Sequence, residues 1–115
     1  MNKENDVVII GGGVVGTAIL RELSRYKIEV VLVEKESDVC SGASKANSAI
    51  IHTGYDATPG TLESRLVVES NPMYDRETEE LDVPFKRTGA ILVAVNDSEF
   101  AELEKYEQKA KDNKV

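Results

Sequence analysis

Between Asp6 and Lys35 the chain runs through a short apolar stretch, a glycine turn, an amphipathic stretch and a second apolar stretch, and no other segment restricts the fold as tightly. Asp6-Val7-Val8-Ile9-Ile10 is rich in β-branched residues, as expected of a parallel strand covered on both faces. The turn Gly11-Gly12-Gly13-Val14-Val15-Gly16 follows at once. Gly11 lets the chain turn sharply at the strand end. Gly13 removes a side chain where backbone N–H groups must approach a pyrophosphate, and Gly16 lets the next helix pack tightly on the strand. A helix is expected over 14–26, with Val15, Ala18, Ile19, Leu23 and Tyr26 as its inward stripe and Arg21, Glu22 and Arg25 opposite. Its N-terminus carries a partial charge of roughly +0.5, which favours an anion by about 0.3 to 2 kcal/mol.

Ile28-Glu29-Val30-Val31-Leu32-Val33 is the expected second strand, and Glu34 at its end lies 18 residues beyond Gly16. A carboxylate there can accept hydrogen bonds from both hydroxyls of an adenosine ribose. It also disfavours a 2′-phosphate: one charge facing two at 4 Å costs about 2 kcal/mol in water and about 8 at an effective dielectric near 20. NADP is therefore the least favoured dinucleotide. Strand, turn, helix, second strand and terminal acid agree on a nucleotide site rather than a structural glycine turn, but the fingerprint alone does not separate NAD from FAD.

The chain has 115 residues, 41% apolar and 30% charged, which suits one soluble domain with a modest core. With 14 basic and 21 acidic residues there is no Lys/Arg patch of the kind that binds nucleic acid, and none is expected as a partner. Cys40 is the only cysteine, so no internal disulfide, zinc cluster or iron–sulfur site is expected, nor any metal. A reducing, cytoplasmic setting fits this usage. The start, Met1-Asn2-Lys3-Glu4-Asn5-Asp6, does not read as a signal peptide, and no stretch has the length of a membrane span.

After Glu34 the composition turns small and polar: Ser37, Asp38, Cys40, Ser41, Gly42, Ala43, Ser44, Lys45, Ala46, Asn47 and Ser48. Such a stretch can wind a short helix or loop whose hydroxyls and N–H groups face a polar ligand, the plainer reading being a solvated loop. It leads into Ala49-Ile50-Ile51-His52-Thr53-Gly54-Tyr55, a strand-like piece whose alternation places Ser48, Ile50 and His52 on one face.

Together with the fingerprint, Gly42-Ala43-Ser44-Lys45-Ala46-Asn47-Ser48-Ala49-Ile50-Ile51-His52-Thr53-Gly54-Tyr55 resembles the N-terminal region of the FAD-dependent D-amino-acid-oxidase-like superfamily. Within it the chain most resembles flavin-linked glycerol-3-phosphate dehydrogenases, especially the anaerobic type, with L-2-hydroxyglutarate oxidases as close relatives. The resemblance continues through Leu81-Asp82-Val83-Pro84-Phe85-Lys86-Arg87-Thr88-Gly89. It implies a Rossmann-like α/β fold with a parallel sheet and flanking helices, and FAD as cofactor. It also implies oxidation of a C–OH or C–N bond by hydride transfer to the flavin, with glycerol 3-phosphate or a similar hydroxy acid as substrate. The implied cofactor contacts are Gly11, Gly12, Gly13, Val14, Val15 and Gly16 at the pyrophosphate, Glu34 at the ribose, and Ala43, Ser44, Asn47 and Ser48 toward the flavin. One departure is Leu20, where many members carry a small residue.

His52, the only histidine, has two readings: a proton acceptor from the substrate hydroxyl, or a hydrogen-bonded structural residue. Lys45 either balances negative charge on a phosphate or a reduced flavin, or is simply solvated. Lys35 either approaches the adenine end or lies on the surface. Cys40 reads as inert, with a covalent flavin link as the alternative.

Further along, Thr58-Pro59-Gly60 is expected to open a helix capped by Thr58, Asn71-Pro72 to restart it, Phe85 to Val95 to form a strand, and Asp97 or Ser98 to cap a last helix carrying Phe100, Leu103, Tyr106 and Ala110. The resemblance implies a protein several times longer. The chain accordingly reads as an N-terminal fragment, with 1–83 the first part of the FAD-binding domain and 84–115 the beginning of a substrate domain. The remainder of that polypeptide would be a partner in the complete site, and nothing in this segment indicates membrane association of the parent. Two competing functions stay open: an NAD-dependent dehydrogenase, which leaves residues 41–55 without a role, and a nucleotide-binding module without chemistry. Residues 1–115 alone are expected to bind FAD weakly or not at all.

Overall fold

The computed structural model describes residues 4–115. Met1 to Lys3, on which the reading of the N-terminus partly rests, lie outside the described residues. The described chain is an α/β arrangement of two strands and four helices, divided into two compact units, the first ending at Ile50 and the second Ile51–Val115.

The first unit is a β-α-β module. β1 (Val7–Ile10) and β2 (Val30–Val33) pair in parallel with Val7 opposite Val30 and Ile10 opposite Val33. Backbone bonds close the ladder at both ends. Gly11 N–H donates to the Val33 carbonyl at 2.8 Å, Asp6 N–H donates to the Glu29 carbonyl at 2.9 Å, and Asp6 Oδ2 accepts from Glu29 N–H at 2.8 Å. The second strand therefore starts at Val30 rather than Ile28.

α1 (Val14–Leu23) ends before Tyr26 because its last turn tightens: Arg25 N–H reaches the Glu22 carbonyl and Tyr26 N–H the Leu23 carbonyl. Its buried face also differs from the expected stripe. Val15, Ala18, Ile19 and Tyr26 are exposed, Val15 by 69%, whereas Gly16 is buried and Leu20 and Leu23 are half-buried. The reason is steric. A Cβ on Gly16 would sit 1.9 Å from the Gly11 carbonyl oxygen and 3.4 Å from Ile9 Cγ2, so the helix touches the sheet at Gly16. Positions four and seven residues further on share that face. Leu20, where many members of the family it resembles carry a small residue, is half-buried on that face.

In the second unit, Thr58-Pro59-Gly60-Thr61 forms a turn closed by Thr61 N–H to the Thr58 carbonyl, with Gly60 at φ +78°, the conformation a type II turn demands at its third residue. The cap of α2 (Leu62–Ser70) is Thr61, whose Oγ1 accepts from Ser64 N–H at 3.2 Å; Thr58 instead supplies the turn's carbonyl. α3 (Met73–Glu80) follows Pro72, as expected of a restart. α4 (Asp97–Asn113) is capped by Asn96, whose Oδ1 accepts from Glu99 N–H at 3.0 Å while Glu99 Oε2 accepts from Val95 N–H at 2.9 Å. This reciprocal pair satisfies two terminal donors and places the start one residue before the expected Asp97.

A polar clasp holds this unit together. Asn113 Nδ2 donates to the Gly54 and Ala57 carbonyls at 2.7 and 2.9 Å, and its Oδ1 accepts from Ser64 Oγ at 2.6 Å. Arg87 forms a second clasp, donating through Nε and Nη2 to Asp75 at 2.8 Å each and through Nη1 to Asn71 Oδ1 at 3.0 Å. That hydrogen-bonded pair holds the Asp75 carboxyl below its ordinary pKa.

Neither expected later strand forms. Residues 48–55 and 85–95 are not in any ladder, and Ile91 and Val95 are 89% and 81% exposed. A β-rich composition makes a strand only where a neighbouring strand offers hydrogen bonds, and the sheet among the described residues contains β1 and β2 alone.

Gly16→Ala tests the helix contact. The added methyl cannot be accommodated without moving backbone, so unfolding followed by circular dichroism should show a loss of about 1–3 kcal/mol. An unchanged midpoint would show that α1 does not rest on Gly11.

Candidate functional site

The site is built in the first unit, where the end of β1, the start of α1 and the end of β2 meet. Gly11 adopts φ +102°, a conformation that L side chains rarely take, and turns the chain away from the strand. Gly13 is the N-cap of α1 and has no side chain with which to cap it, and the first turn of α1 contains no acidic residue. The oxygen that serves this helix end comes from far along the chain: Ser44 Oγ accepts from Val14 N–H at 2.8 Å. The same hydroxyl would lie 3.2 Å from a Cβ on Gly13, so the missing side chain leaves room for Ser44.

Glu34, at the end of β2, folds back over the turn. Its Oε2 accepts from Gly12 N–H at 2.6 Å and its Oε1 from Glu36 N–H at 3.0 Å. These bonds stabilise the charged form, and the carboxyl is held below its ordinary pKa, first by Glu36 N–H and then by Gly12 N–H. The loop after Glu34 is tied to the same turn by Cys40 N–H, which donates to the Gly12 carbonyl at 2.8 Å. Further on, Asn47 Nδ2 donates to the Ser44 carbonyl at 2.7 Å and Asn47 Oδ1 accepts from Ala49 N–H at 2.8 Å.

The structure thus brings Gly11, Gly12, Gly13, Val14, Val15, Gly16, Glu34 and Ser44 to one place. Ala43, Lys45, Asn47 and Ser48 lie in the loop that Ser44 and Cys40 anchor, with Asn47 shaping the loop through its own backbone bonds. Lys35 is 86% exposed and pairs with Glu36 at 3.3 Å. Cys40 is half-buried, a free thiol in the left-handed region at φ 57°. His52 belongs to the second unit, where its carbonyl accepts from Asn71 Nδ2 at 2.9 Å and its side chain is exposed. Sequence reasoning missed the contributions of Glu36 and Cys40. Both act through backbone N–H groups, which every non-proline residue carries, so residue type holds no signal for them.

A dinucleotide fits this arrangement: a helix N-terminus without a first-turn acid for the diphosphate, a glycine turn that lets backbone approach, and a carboxylate anion at the end of the next strand. Among the described residues no group of three or more His, Cys, Asp or Glu is placed to hold a metal ion, and no helix is long and apolar enough to cross a membrane.

Residues 6–115 match the family model described as FAD dependent oxidoreductase. A glycerol 3-phosphate dehydrogenase of Caloramator mitchellensis is 55% identical over 104 residues, covering 90% of this chain and 22% of the relative. A mitochondrial L-2-hydroxyglutarate dehydrogenase of Caenorhabditis elegans is 39% identical over 114 residues, covering 94% and 25%. Among solved structures, dithionite-reduced L-alpha-glycerophosphate oxidase from Mycoplasma pneumoniae with FAD bound matches with a TM-score of 0.80 at 36% identity, over 99% of this chain and 30% of that one. The chain spans between a fifth and a third of the length of the relatives it matches.

The Glu34 clasp has a defined pH window. A carboxyl with a depressed folded pKa contributes stability above its unfolded value and loses it as pH falls through the folded value. In ¹⁵N NMR the Gly12 amide should therefore titrate only below the ordinary glutamate value of 4.5, and Glu34→Gln should abolish the titration. A Gly12 amide indifferent to pH in the wild-type chain would remove the bond.

Proposed function

Since the chain belongs to the FAD-dependent oxidoreductase family, we propose that it supplies the dinucleotide-binding portion of a flavin-dependent dehydrogenase that oxidises glycerol 3-phosphate or a similar hydroxy acid. The observation that carries this reading is the convergence of Gly12 N–H, the α1 N-terminus and Ser44 on one turn, with the Glu34 carboxylate held beside it. The bound flavin would accept a hydride from the carbon bearing the substrate hydroxyl. The chain's own residues do the rest. Backbone N–H groups of Gly13, Val15 and Gly16 receive the diphosphate, and Glu34 accepts from the ribose hydroxyls.

Ser44 works at the same place. Its oxygen accepts from Val14 N–H, which leaves its own O–H to donate to a phosphate oxygen. Ala43, Asn47 and Ser48 continue toward the flavin, and Lys45 offsets negative charge that develops there. Lys35, paired with Glu36 and exposed, stays at the surface of the adenine end. His52 accepts the proton of the substrate hydroxyl as the hydride leaves. Residues 1–83 belong to the cofactor domain and 84–115 open the substrate domain.

Glycerol 3-phosphate is favoured as substrate by the 55% identity to the Caloramator dehydrogenase, and a 2-hydroxy acid is the second reading, favoured by the 39% identity to the Caenorhabditis enzyme.

The 115-residue chain offers the adenosine diphosphate end of the site, so ADP is the appropriate probe. Titrated into ¹⁵N-labelled protein, it should shift the amides of Gly11 to Gly16, Glu34 and Ser44 selectively, with weak affinity. Shifts scattered over both units, or none at millimolar ADP, would refute the site. In any active enzyme carrying this segment, His52→Ala should lower kcat by about 10²-fold or more. Unchanged turnover across pH would remove the role of His52.

A further inference from the structure

The glycines of the turn are glycine for different reasons. Gly11 takes φ +102°, and a Cβ on Gly16 would collide with backbone, so both are required by the fold. Gly12 is different. It is buried, yet its φ lies outside the left-handed region, so no positive φ calls for glycine there. What a side chain there would meet is Glu34 Oε2 at 3.1 Å, Val39 Cγ1 at 3.1 Å and Glu34 Cβ at 3.3 Å. Both of its backbone polar groups are engaged, the N–H by Glu34 and the carbonyl by Cys40 N–H.

We propose that Gly12 is a positioning residue for Glu34: its bare N–H holds the carboxylate where a ribose diol is taken, and a side chain at position 12 releases the adenosine end of the site while leaving the phosphate end intact. The inference rests on the cofactor reading above and adds to it a residue that contacts the ribose only through Glu34. None of these three atoms is backbone, two of them belong to Glu34, and Glu34 Oε2 is the far end of a flexible side chain. A substitution at 12 therefore displaces Glu34 before it disturbs the turn. The diphosphate end depends on Gly13, on the α1 N-terminus and on Ser44, whereas the three atoms nearest a Cβ at position 12, neighbours in the chain aside, belong to Glu34 and Val39.

The test compares ADP with 2′,3′-dideoxyadenosine 5′-diphosphate, which keeps the diphosphate and lacks both hydroxyls, on the 115-residue chain by NMR titration. Wild type should prefer ADP by about tenfold, the scale expected for hydrogen bonds to a charged acceptor. Gly12→Val should bring that ratio near one, as Glu34→Ala does, with the dideoxy affinity held within about twofold, because the phosphate contacts are untouched. If Gly12→Val does not fold, Gly12→Ala carries the test: its methyl obliges Glu34 to give by a few tenths of an ångström, and the ratio should fall by about twofold or more. Gly12→Ala combined with Val39→Ala must behave as Gly12→Ala alone, since relieving Val39 leaves Glu34 crowded. A restored ratio in that pair, a ratio unchanged by Gly12→Val, or equal weakening of both nucleotides overturns the proposal.

A readout without ligand separates this inference from the cofactor reading. The amide at position 12 should stop reporting the Glu34 titration in Gly12→Val. If it does so while wild type binds neither nucleotide, the cofactor reading fails and the positioning of Glu34 by Gly12 stands.

Discussion

The approach of Gly16 to the Gly11 carbonyl is the constraint from which the first unit follows. A helix can come this near a strand end only where it carries no Cβ, and the 1.9 Å that a methyl would be left with shows how little room there is. With α1 set down at that point, the helix begins directly at the glycine turn, with Gly13 as its N-cap. The parallel pairing of β1 and β2 then brings Glu34 level with Gly11, since the ladder extends one bond past the strands to Gly11 N–H and the Val33 carbonyl, and from there its side chain reaches Gly12 N–H. Ser44 and Cys40 close over an arrangement that backbone geometry has already set.

Much of this was legible in the sequence, because the glycine pattern encodes backbone requirements rather than side-chain preferences. The turn, the helix start and Glu34 lie where spacing placed them, and the second strand ends at Val33 as expected although it begins two residues later. The buried face of α1 was misread since apolar periodicity assumes that a helix packs through its largest side chains. Here it packs through its smallest, and the stripe turns toward Gly16, Leu20 and Leu23 while Val15 and Ile19 face outward. The caps of α2 and α4 slipped for a related reason. Thr58, Thr61, Asn96, Asp97 and Ser98 are all competent caps, and the choice among them depends on turn closure and on the reach of Glu99, which are three-dimensional facts.

The later segments show the opposite limit of sequence reading. Residues 85–95 have the composition of a strand but no ladder, because a strand's hydrogen bonds belong to the pair and not to the segment. The second unit relies instead on directed polar contacts. Asn113 answers two carbonyls and a hydroxyl at once, which orders Gly54, Ala57 and Ser64 around it with little apolar burial, Ala57 being the one buried apolar residue of that unit. Such a clasp is invisible to hydrophobic periodicity, since an asparagine near a helix C-terminus reads as a cap. The Arg87 fork is likewise unreadable from composition. It links Asp75, Asn71 and, through Asn71 Nδ2, the His52 carbonyl into one chain of hydrogen bonds.

Glu34 keeps acceptor capacity beyond the bonds that it makes to the protein. An ionised carboxylate offers about four lone-pair sites, two on each oxygen. The fold uses one on Oε2, for Gly12 N–H, and one on Oε1, for Glu36 N–H. One site on each oxygen remains, which matches the two hydroxyl donors of a ribose. The backbone bonds also favour the ionised form, so the remaining lone pairs stay available as acceptors as pH falls toward the ordinary glutamate range. Anchoring thus leaves lone pairs of the same group open for the ribose contact proposed above. A 2′-phosphate brings acceptors and negative charge in place of a donor, and it meets a carboxylate that its backbone partners keep ionised and hold in place. On the proposed cofactor reading, discrimination against it would follow from the bonds that fasten Glu34 to the turn as much as from the charge of Glu34 itself.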